Sequence, residues 1–574
     1  MADQQQTASN TFRVEVAGSP LPDDVATAMI AAVVDCHVAL PDAFSLTFRD
    51  PHRSVITDGS FTIGAACRIT VISEADTGKP LLAGEVTALE AEHDPNGTYT
   101  IVRGYDQSHR LLRGRRTETY TDVTYADVAR KVAQLANLQA GTVDATPTVH
   151  PHVSQGNVSD WEFLWGLARE VGFEVAVADG TLHFRKPAPA AEGPGAGTLT
   201  STNPLQLSLG SNLLRFRSVV TSAEQVKEVQ VRGWDVGTKK SLVGVAAAGS
   251  GSAQLSVTPA DVAGKFSAPP YVGVDVPYRS QAEVDAAAVA VAEQIGGAFA
   301  ELDGVARGNP SLKAGTAVSL ALVGEPFDGK YTLSSARHRY DTGTGYTTAF
   351  TVSGRQQRSL LGLVGGGRGG KRNGLPGVVP AQVTDVHDPD DMGRVKVKFP
   401  WLSDTYVSDW VRLVSAGAGS ARGGIWLPEV NDEVLVTFEQ GDLRRPYVIG
   451  GLHNGVDKPK LGDGLVDGSS GAVKRRGFVS KKGHALLFFD DDADDGIAVL
   501  TGDAKLRVSL NGGKQTIKIF SNGKVEIEGK GDINIKAGGN LTLQAQGNLA
   551  LSGTQVSIKG SGPVEVSGSP IKLN

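Results

Sequence analysis

The sequence has 574 residues with 56 basic and 62 acidic side chains, a formal charge of −6. A single core stops growing near ~250–300 residues, so several domains are expected, and the near-balanced, slightly acidic charge excludes a bulk electrostatic attraction to nucleic acid or anionic membrane. Two cysteines, Cys36 and Cys67, exclude a disulfide scaffold and a cysteine-rich metal site; two separately packed thiols are expected, with one buried bridge as the alternative.

Taken from the start, residues 1–10 are polar and glutamine-rich, without the charged-then-apolar pattern of a signal segment. The apolar run over 26–34, broken by Thr27, is too short to cross a bilayer, and a soluble protein outside the secretory route is expected. The basic run Arg110, Arg113, Arg115 and Arg116 has two readings. It is a solvated face, or its guanidiniums make directional ion pairs and carbonyl contacts between subunits. Thr124 is placed to cap a helix whose Tyr125, Val128, Val132 and Leu135 fall on one side. Ser159 and Glu162 form a capping box that starts a helix burying Phe163, Leu164, Leu167 and Val171. His150 and His152 flank Pro151 and point to one side of an extended segment; lacking a third ligand nearby, they are read as a surface loop. An alanine-rich helix is expected over 281–300, and the glycine-rich stretch Gly365 to Gly370 is read as part of a flexible linker over 361–375.

Over 376–455 short strands dominate. Residues 378–383 lead to a turn at Asp388-Pro389-Asp390-Asp391, followed by the alternating run 394–399, then 410–414, a glycine-rich loop at 417–424, and strands at 433–438 and 447–452. Five or six strands in this length suggest a small barrel of the OB type. Phe399, Trp401, Trp410 and Trp426 beside Lys396, Lys398, Arg412 and Arg422 would be the parts of a nucleic-acid face. Asp385, Asp388, Asp390, Asp391, Asp404 and Asp409 oppose that reading by repelling phosphates. The acidic run Asp490, Asp491, Asp492, Asp494 and Asp495 lacks the glycine and glutamate of a calcium loop and is read as a solvated hairpin in a connector over 456–516.

The last stretch, 517–574, is periodic. Ile517/Ile519, Val525/Ile527, Ile533/Ile535, Leu541/Leu543, Leu549/Leu551, Val556/Ile558, Val564/Val566 and Ile571/Leu573 recur at intervals of 8, 8, 8, 8, 7, 8 and 7 residues. Each pair has the two-residue spacing that turns both side chains to one face of a strand, and Asp532, Asn540, Asn548, Pro563 and Pro570 supply corners. One short strand leaves its apolar face and both edges bare. Eight residues are too few for a turn of a single-chain solenoid but suit one side of a triangular prism whose other sides come from two more chains. With ~4.7 Å between strands, eight levels make a rod of about 40 Å.

The ordered segments 388–401, 410–412, 428–434, 438–442 and 445–450 closely resemble the OB domain of valine-glycine repeat (VgrG) spike proteins and phage baseplate assembly proteins. Residues 102–116, 159–184 and 352–356 resemble the phage hub region that precedes this barrel in such spikes. The resemblance implies a mainly β chain with an α+β hub: phage hub-like tandem β-barrel domains over 1–360, the linker, an OB-fold barrel over 376–455, the connector and start of the spike over 456–516, and an intertwined trimeric β-prism (β-helix) over 517–574. It further implies a structural spike of a contractile injection system, closest in type to phage-tail-like particles, assembled in a bacterial cytoplasm and either retained or released with the particle. The expected partners are two further copies of the chain, an inner tube protein, baseplate proteins, a proline-alanine-alanine-arginine (PAAR) tip protein and effector cargo, with transient contact to a target membrane and no nucleic acid. Some relatives carry an effector domain after the prism; none is expected here, so cargo is expected to travel separately or to be attached through another subunit. The arginine run becomes a candidate hub interface. No H-E-x-x-H pair and no G-x-S-x-G elbow is present, so neither catalysis nor a cofactor or metal is expected. A trimeric cell-surface adhesin and an envelope-degrading tail enzyme are the competing readings.

Overall fold

Period-two burial builds the largest element of the chain: Thr11–Val16 and Ala43–Arg49 bury every second side chain against one core. The computed structural model describes residues 11–72, 78, 80–195, 203–354, 377–461, 464–491 and 495–572, and divides into two compact units, Met1–Asn454 and Gly455–Asn574. The chain is a strand-rich mixture of helix and sheet.

In the first unit an 11-stranded sheet runs in the order Leu213–Val220, Ala300–Arg307, Gly345–Val352, Ser335–Asp341, Met29–His37, Ala43–Arg49, Gly97–Tyr105, Pro80–Asp94, Ala66–Ile72, Thr11–Val16, Ser19–Pro20. Its seam is the antiparallel pairing of Ser335–Asp341 with Met29–His37, where His338 lies opposite Val34. Each side of the seam has its own core, one around Phe44, Leu46, Phe48 and Ile69 and the other around Phe299, Leu320, Tyr331 and Phe350. Cys36 and Cys67 are both free and buried.

Helix α1, Tyr125–Leu135, begins at Thr124 in a capping box with Asp127. Helix α2, Asp160–Glu170, begins at Ser159 in a second box with Glu162. The two helices bury Tyr125, Val128, Val132, Phe163, Leu164 and Leu167 in one core. Leu135, expected on the buried side, is 51% exposed because the helix ends there and the chain turns at Asn137 with φ 54°. Helix α3, Gln281–Gly296, is capped by Ser280 and Glu283 and gives way to a 3-10 turn and then strand at Ala300, shorter than the sequence reading. It lies close on the strand Lys240–Ala247, where a Cβ on Gly244 would come 2.2 Å from the Val284 carbonyl oxygen.

Residues 377–454 form a curled five-stranded sheet in the order Lys396–Lys398, Val378–Asp385, Glu433–Phe438, Pro446–Gly451, Arg412–Leu413. A bridge between Val395 and Val411 draws its two edges together over a core of Val383, Val397, Phe399, Tyr406, Val434 and Val436. The turn after the first strand is held by Asp388, which accepts hydrogen bonds from the main-chain N–H of Asp390, Met392 and Arg394 and grips the Arg394 guanidinium. Those bonds, the Arg394 side chain foremost, hold its carboxyl well below the usual range.

The second unit contains a five-stranded antiparallel meander: Arg475–Val479, Ala485–Phe489, Gly496–Leu500, Leu506–Asn511 and Thr516–Ser521. Of the acidic run, Asp490 pairs with Arg476 and Asp491 lies 3.5 Å from Lys474. Asp492, Asp494, Leu573, Arg355, Gln356 and the linker 361–375 lie outside the described residues.

Candidate functional site

Two surfaces and one buried joint carry the chemistry of this chain. The first surface is a face of the meander. Register places Phe478, Leu486, Val499, Val508 and Ile519 in one cross-strand row, and Phe488, Ile497, Leu510 and Ile517 in the next. Alternate residues of a strand share a face, so both rows lie on the same side. All of them are exposed, from 36% at Leu486 and Phe488 to 72% at Ile517. The repeat continues from here: among the described residues after Ser521 no strand is formed within the chain, and the apolar pairs from Val525 to Ile571 are between 48% and 72% exposed. Of the expected core residues, Ile517 and Ile519 thus sit on a sheet strand. Val525, Ile527, Ile533, Ile535, Leu541, Leu543, Leu549, Leu551, Val556, Ile558, Val564, Val566 and Ile571 sit on bare chain.

The arginine run is split by its surroundings. Arg110 pairs with Glu85, which also lies 2.9 Å from His109 Nε2, and Arg116 Nε donates to Asp160 at 3.1 Å. Arg115 donates to the Asn157 carbonyl oxygen at 3.3 Å, while the Arg113 side chain is exposed and has no polar partner among the described residues. Two of the four side chains are therefore engaged with carboxylates inside the chain, and Arg113 and Arg115 face outward.

The joint is where the curled sheet meets the helical region, and it joins Tyr125, expected on one side of a helix, with His150 and His152, expected in a loop. Asp442 and Arg444 leave the Phe438 strand through a corner at which Gln440 and Gly441 have φ of 53° and 80°. The Arg444 guanidinium, 11% exposed, donates to Asp442 at 2.9 Å and to the Tyr125 hydroxyl at 3.2 Å, and Tyr125 donates to Glu170 at 2.6 Å. Against burial, the Asp442 carboxylate raises the Arg444 pKa further. Glu283, the capping residue of α3, accepts from the main-chain N–H of Arg279 and Ser280 and lies 3.5 Å from His150 Nδ1. Burial pushes its carboxyl up, but the His150 contact, the Arg279 N–H and the Arg445 charge bring it down to about 2. His150 stacks on Tyr125 with ring centroids 4.2 Å apart, and His152 shares a hydrogen bond of 3.1 Å with the Val407 carbonyl. Burial lowers the His152 pKa. Both histidines are thus buried on the strand His150–Val158, which corrects their reading as a surface loop: Tyr125 and Tyr406 cover them from distant parts of the chain. The Arg444-Arg445-Pro446 triplet before a core strand was the one local signal for this joint.

Some of the residues named for a nucleic-acid face are engaged within the fold. Phe399 is fully buried, and the Trp401 indole donates to the Pro380 carbonyl at 2.9 Å. Lys396 lies over the Trp410 ring. Among the described residues no three His, Cys, Asp or Glu side chains come together as metal ligands, and no helix is long and apolar enough to cross a membrane.

The profile of the type VI secretion system/phage-baseplate injector OB domain matches residues 379–453, the curled sheet. A stretch of 108 residues is 34% identical to the type VI secretion system spike protein VgrG3 of Vibrio cholerae, covering 18% of this chain and 10% of that protein. Another of 69 residues is 41% identical to the spike protein VgrG1c of Pseudomonas aeruginosa, covering 11% of this chain and 10% of that one. The match thus spans about a tenth of the length of these curated relatives. In fold, the chain is similar to a structure of the Francisella PdpA-VgrG complex, half-lidded, with a TM-score of 0.54 at 9% identity, over 90% of this chain and 88% of that one. The profile of the Alg8 N-terminal domain matches residues 8–342, more than half of the chain. The chain therefore belongs to that family and is a spike-type protein of the VgrG and phage-tail baseplate kind.

Proposed function

We propose that this protein is the trimeric central spike and hub of a contractile, phage-tail-like injection machine. The observation that carries the reading is the bare apolar face of the 475–521 meander, which runs on in sequence into the octapeptide pairs. Apolar patches larger than a few hundred Å² mark interaction surfaces, and a repeat of eight residues contributes one side of a three-sided rod. Three copies wound together would cover both sets of side chains and close the strand edges. The prism interface then begins near Phe478, upstream of the repeat itself.

In this reading the 11-stranded sheet, with a core on each side of its seam, lets three chains present six β units to a hexameric inner tube. Residues 376–455 act as an OB-fold collar, and Arg113 and Arg115 are its neighbour-facing hub cations. The rod carries a PAAR-type tip and effector cargo to a target membrane, transmits force without an active site or cofactor of its own, and is assembled in a bacterial cytoplasm at the baseplate of the particle. Native mass spectrometry of the full chain tests the assembly: the mass of three chains is expected, and a monomer at micromolar concentration refutes it. Labelling of the chain in native particles, viewed by electron microscopy, should place it at the baseplate centre.

A further inference from the structure

Beside the buried joint lies a narrow cleft lined by Arg279, Arg412, Arg444 and Arg445, with Asp409 and Trp410 on its wall. Its enclosed space is about 10 Å³, room for about one water-sized group. Three of its charges are accounted for within the chain: Arg444 by Asp442, Arg279 by Glu439 at 3.3 Å, and Asp409 in part by the N–H of Trp410 at 2.7 Å. Arg445 and Arg412 are not so matched. The Arg445 side chain is 17% exposed, yet its contacts are long: 3.9 Å to Glu283, a carboxylate already shared with His150 and two main-chain N–H groups, and 3.5 Å to the Pro277 carbonyl. Charge-assisted bonds to carboxylates are usually ~2.7–2.9 Å. The Arg412 guanidinium lies 5.7 Å from the Tyr447 ring centroid and makes no hydrogen bond or ion pair among the described residues.

A guanidinium has five donors and no acceptor, and donors left bare in a buried position are costly. Burial, then the charges of Arg444 and Arg279, lowers the Arg445 pKa, while Glu283 and Asp442 act the other way. We propose that the cleft is an oxyanion-binding site, taking the tip of one carboxylate or phosphate group between the bare donors of Arg445 and Arg412. The size of the enclosed space limits the occupant to that tip, and the body of the molecule bearing it stays outside. Two sources share this chemistry, an acidic side chain of a partner protein and free phosphate.

Isothermal titration of the full chain with inorganic phosphate, and in a separate arm with a tetraglutamate peptide, each against chloride at equal ionic strength, tests the proposal. Saturable binding in at least one arm is expected, weakened about tenfold in Arg412→Gln and in Arg445→Gln. Tighter binding of the peptide assigns the site to a partner's carboxylate, and tighter binding of phosphate assigns it to the free anion. No binding above chloride in either arm, or equal binding by wild type and the Arg412→Gln variant, overturns the proposal. Arg412 is exposed, so its variant decides the matter even where Arg445→Gln fails to fold.

Discussion

Replacing Ile535 and Leu543 by Asp puts the trimeric rod to its hardest test. In a single chain these side chains are 67% and 61% exposed, so their apolar character does nothing for an isolated copy. Covering one such side chain contributes about 2 kcal/mol, or roughly 12 kcal/mol for the six copies in a trimer. That alone corresponds to roughly nine decades in the association constant, before the desolvation of six carboxylates, several kcal/mol each, is added. The double variant should run as a monomer in size-exclusion chromatography with light scattering, while circular dichroism of the first unit stays unchanged. Lys536→Asp, at the position between levels that faces water, should leave the trimer intact. A double variant that keeps the mass of three chains would refute the prism and with it the assignment of the pairs to a shared core.

Further tests address the first unit. Gly244→Ala should lower stability by about 2–3 kcal/mol, read as a fall in the thermal midpoint, because its Cβ would meet main-chain oxygen at 2.2 Å and α3 must shift to admit it. Asp442→Ala removes the nearer carboxylate from a nearly buried Arg444, leaving it the Tyr125 hydroxyl at 3.2 Å and Glu170 at 3.5 Å, and should cost about 2–3 kcal/mol in the same measurement. Burial, then the neighbouring Asp42 charge, raises the Asp106 carboxyl from 3.8 to about 7. The folded state therefore holds its proton more tightly than the unfolded chain, and this contribution to stability is lost as pH rises from about 4 to about 7. Asp106→Asn should flatten that part of the profile of thermal midpoint against pH. Burial lowers His338 from 6.5 to about 3, which has the opposite sign: its contribution is full above 6.5 and is lost as pH falls towards 3, so His338→Gln should remove a loss on the acid side.

Local signals were legible wherever one turn or one strand decides the outcome. The Ser159/Glu162 box starts α2 as its letters suggest, because both partners lie within four residues. The octapeptide is visible because its interval is nearly constant. Its upstream neighbours follow the same logic less plainly: Leu486/Phe488, Ile497/Val499, Val508/Leu510 and Ile517/Ile519 are spaced by 11, 11 and 9 residues, a strand plus a hairpin turn each time. That looser interval hides the apolar face until the register is known. The joint was illegible for a different reason. Tyr125, His150, Glu170, Glu283 and Arg444 come from segments far apart in sequence, and nothing in any one segment points to the others. Only docking makes them one network.

The seam of the 11-stranded sheet sets a schedule for synthesis. Val34 is paired with His338, about 300 positions later, and at ~5–20 residues per second a ribosome needs roughly 15–60 s to cover that interval. Throughout that time the strand Met29–His37 has one edge waiting for a partner not yet made, in the form that invites pairing with other chains. The late position of the closing strands Ser335–Asp341 and Gly345–Val352 couples completion of the 11-stranded sheet to translation of nearly everything before the curled sheet. The large sheet is thus complete in sequence only when residues 377–454 are about to be made.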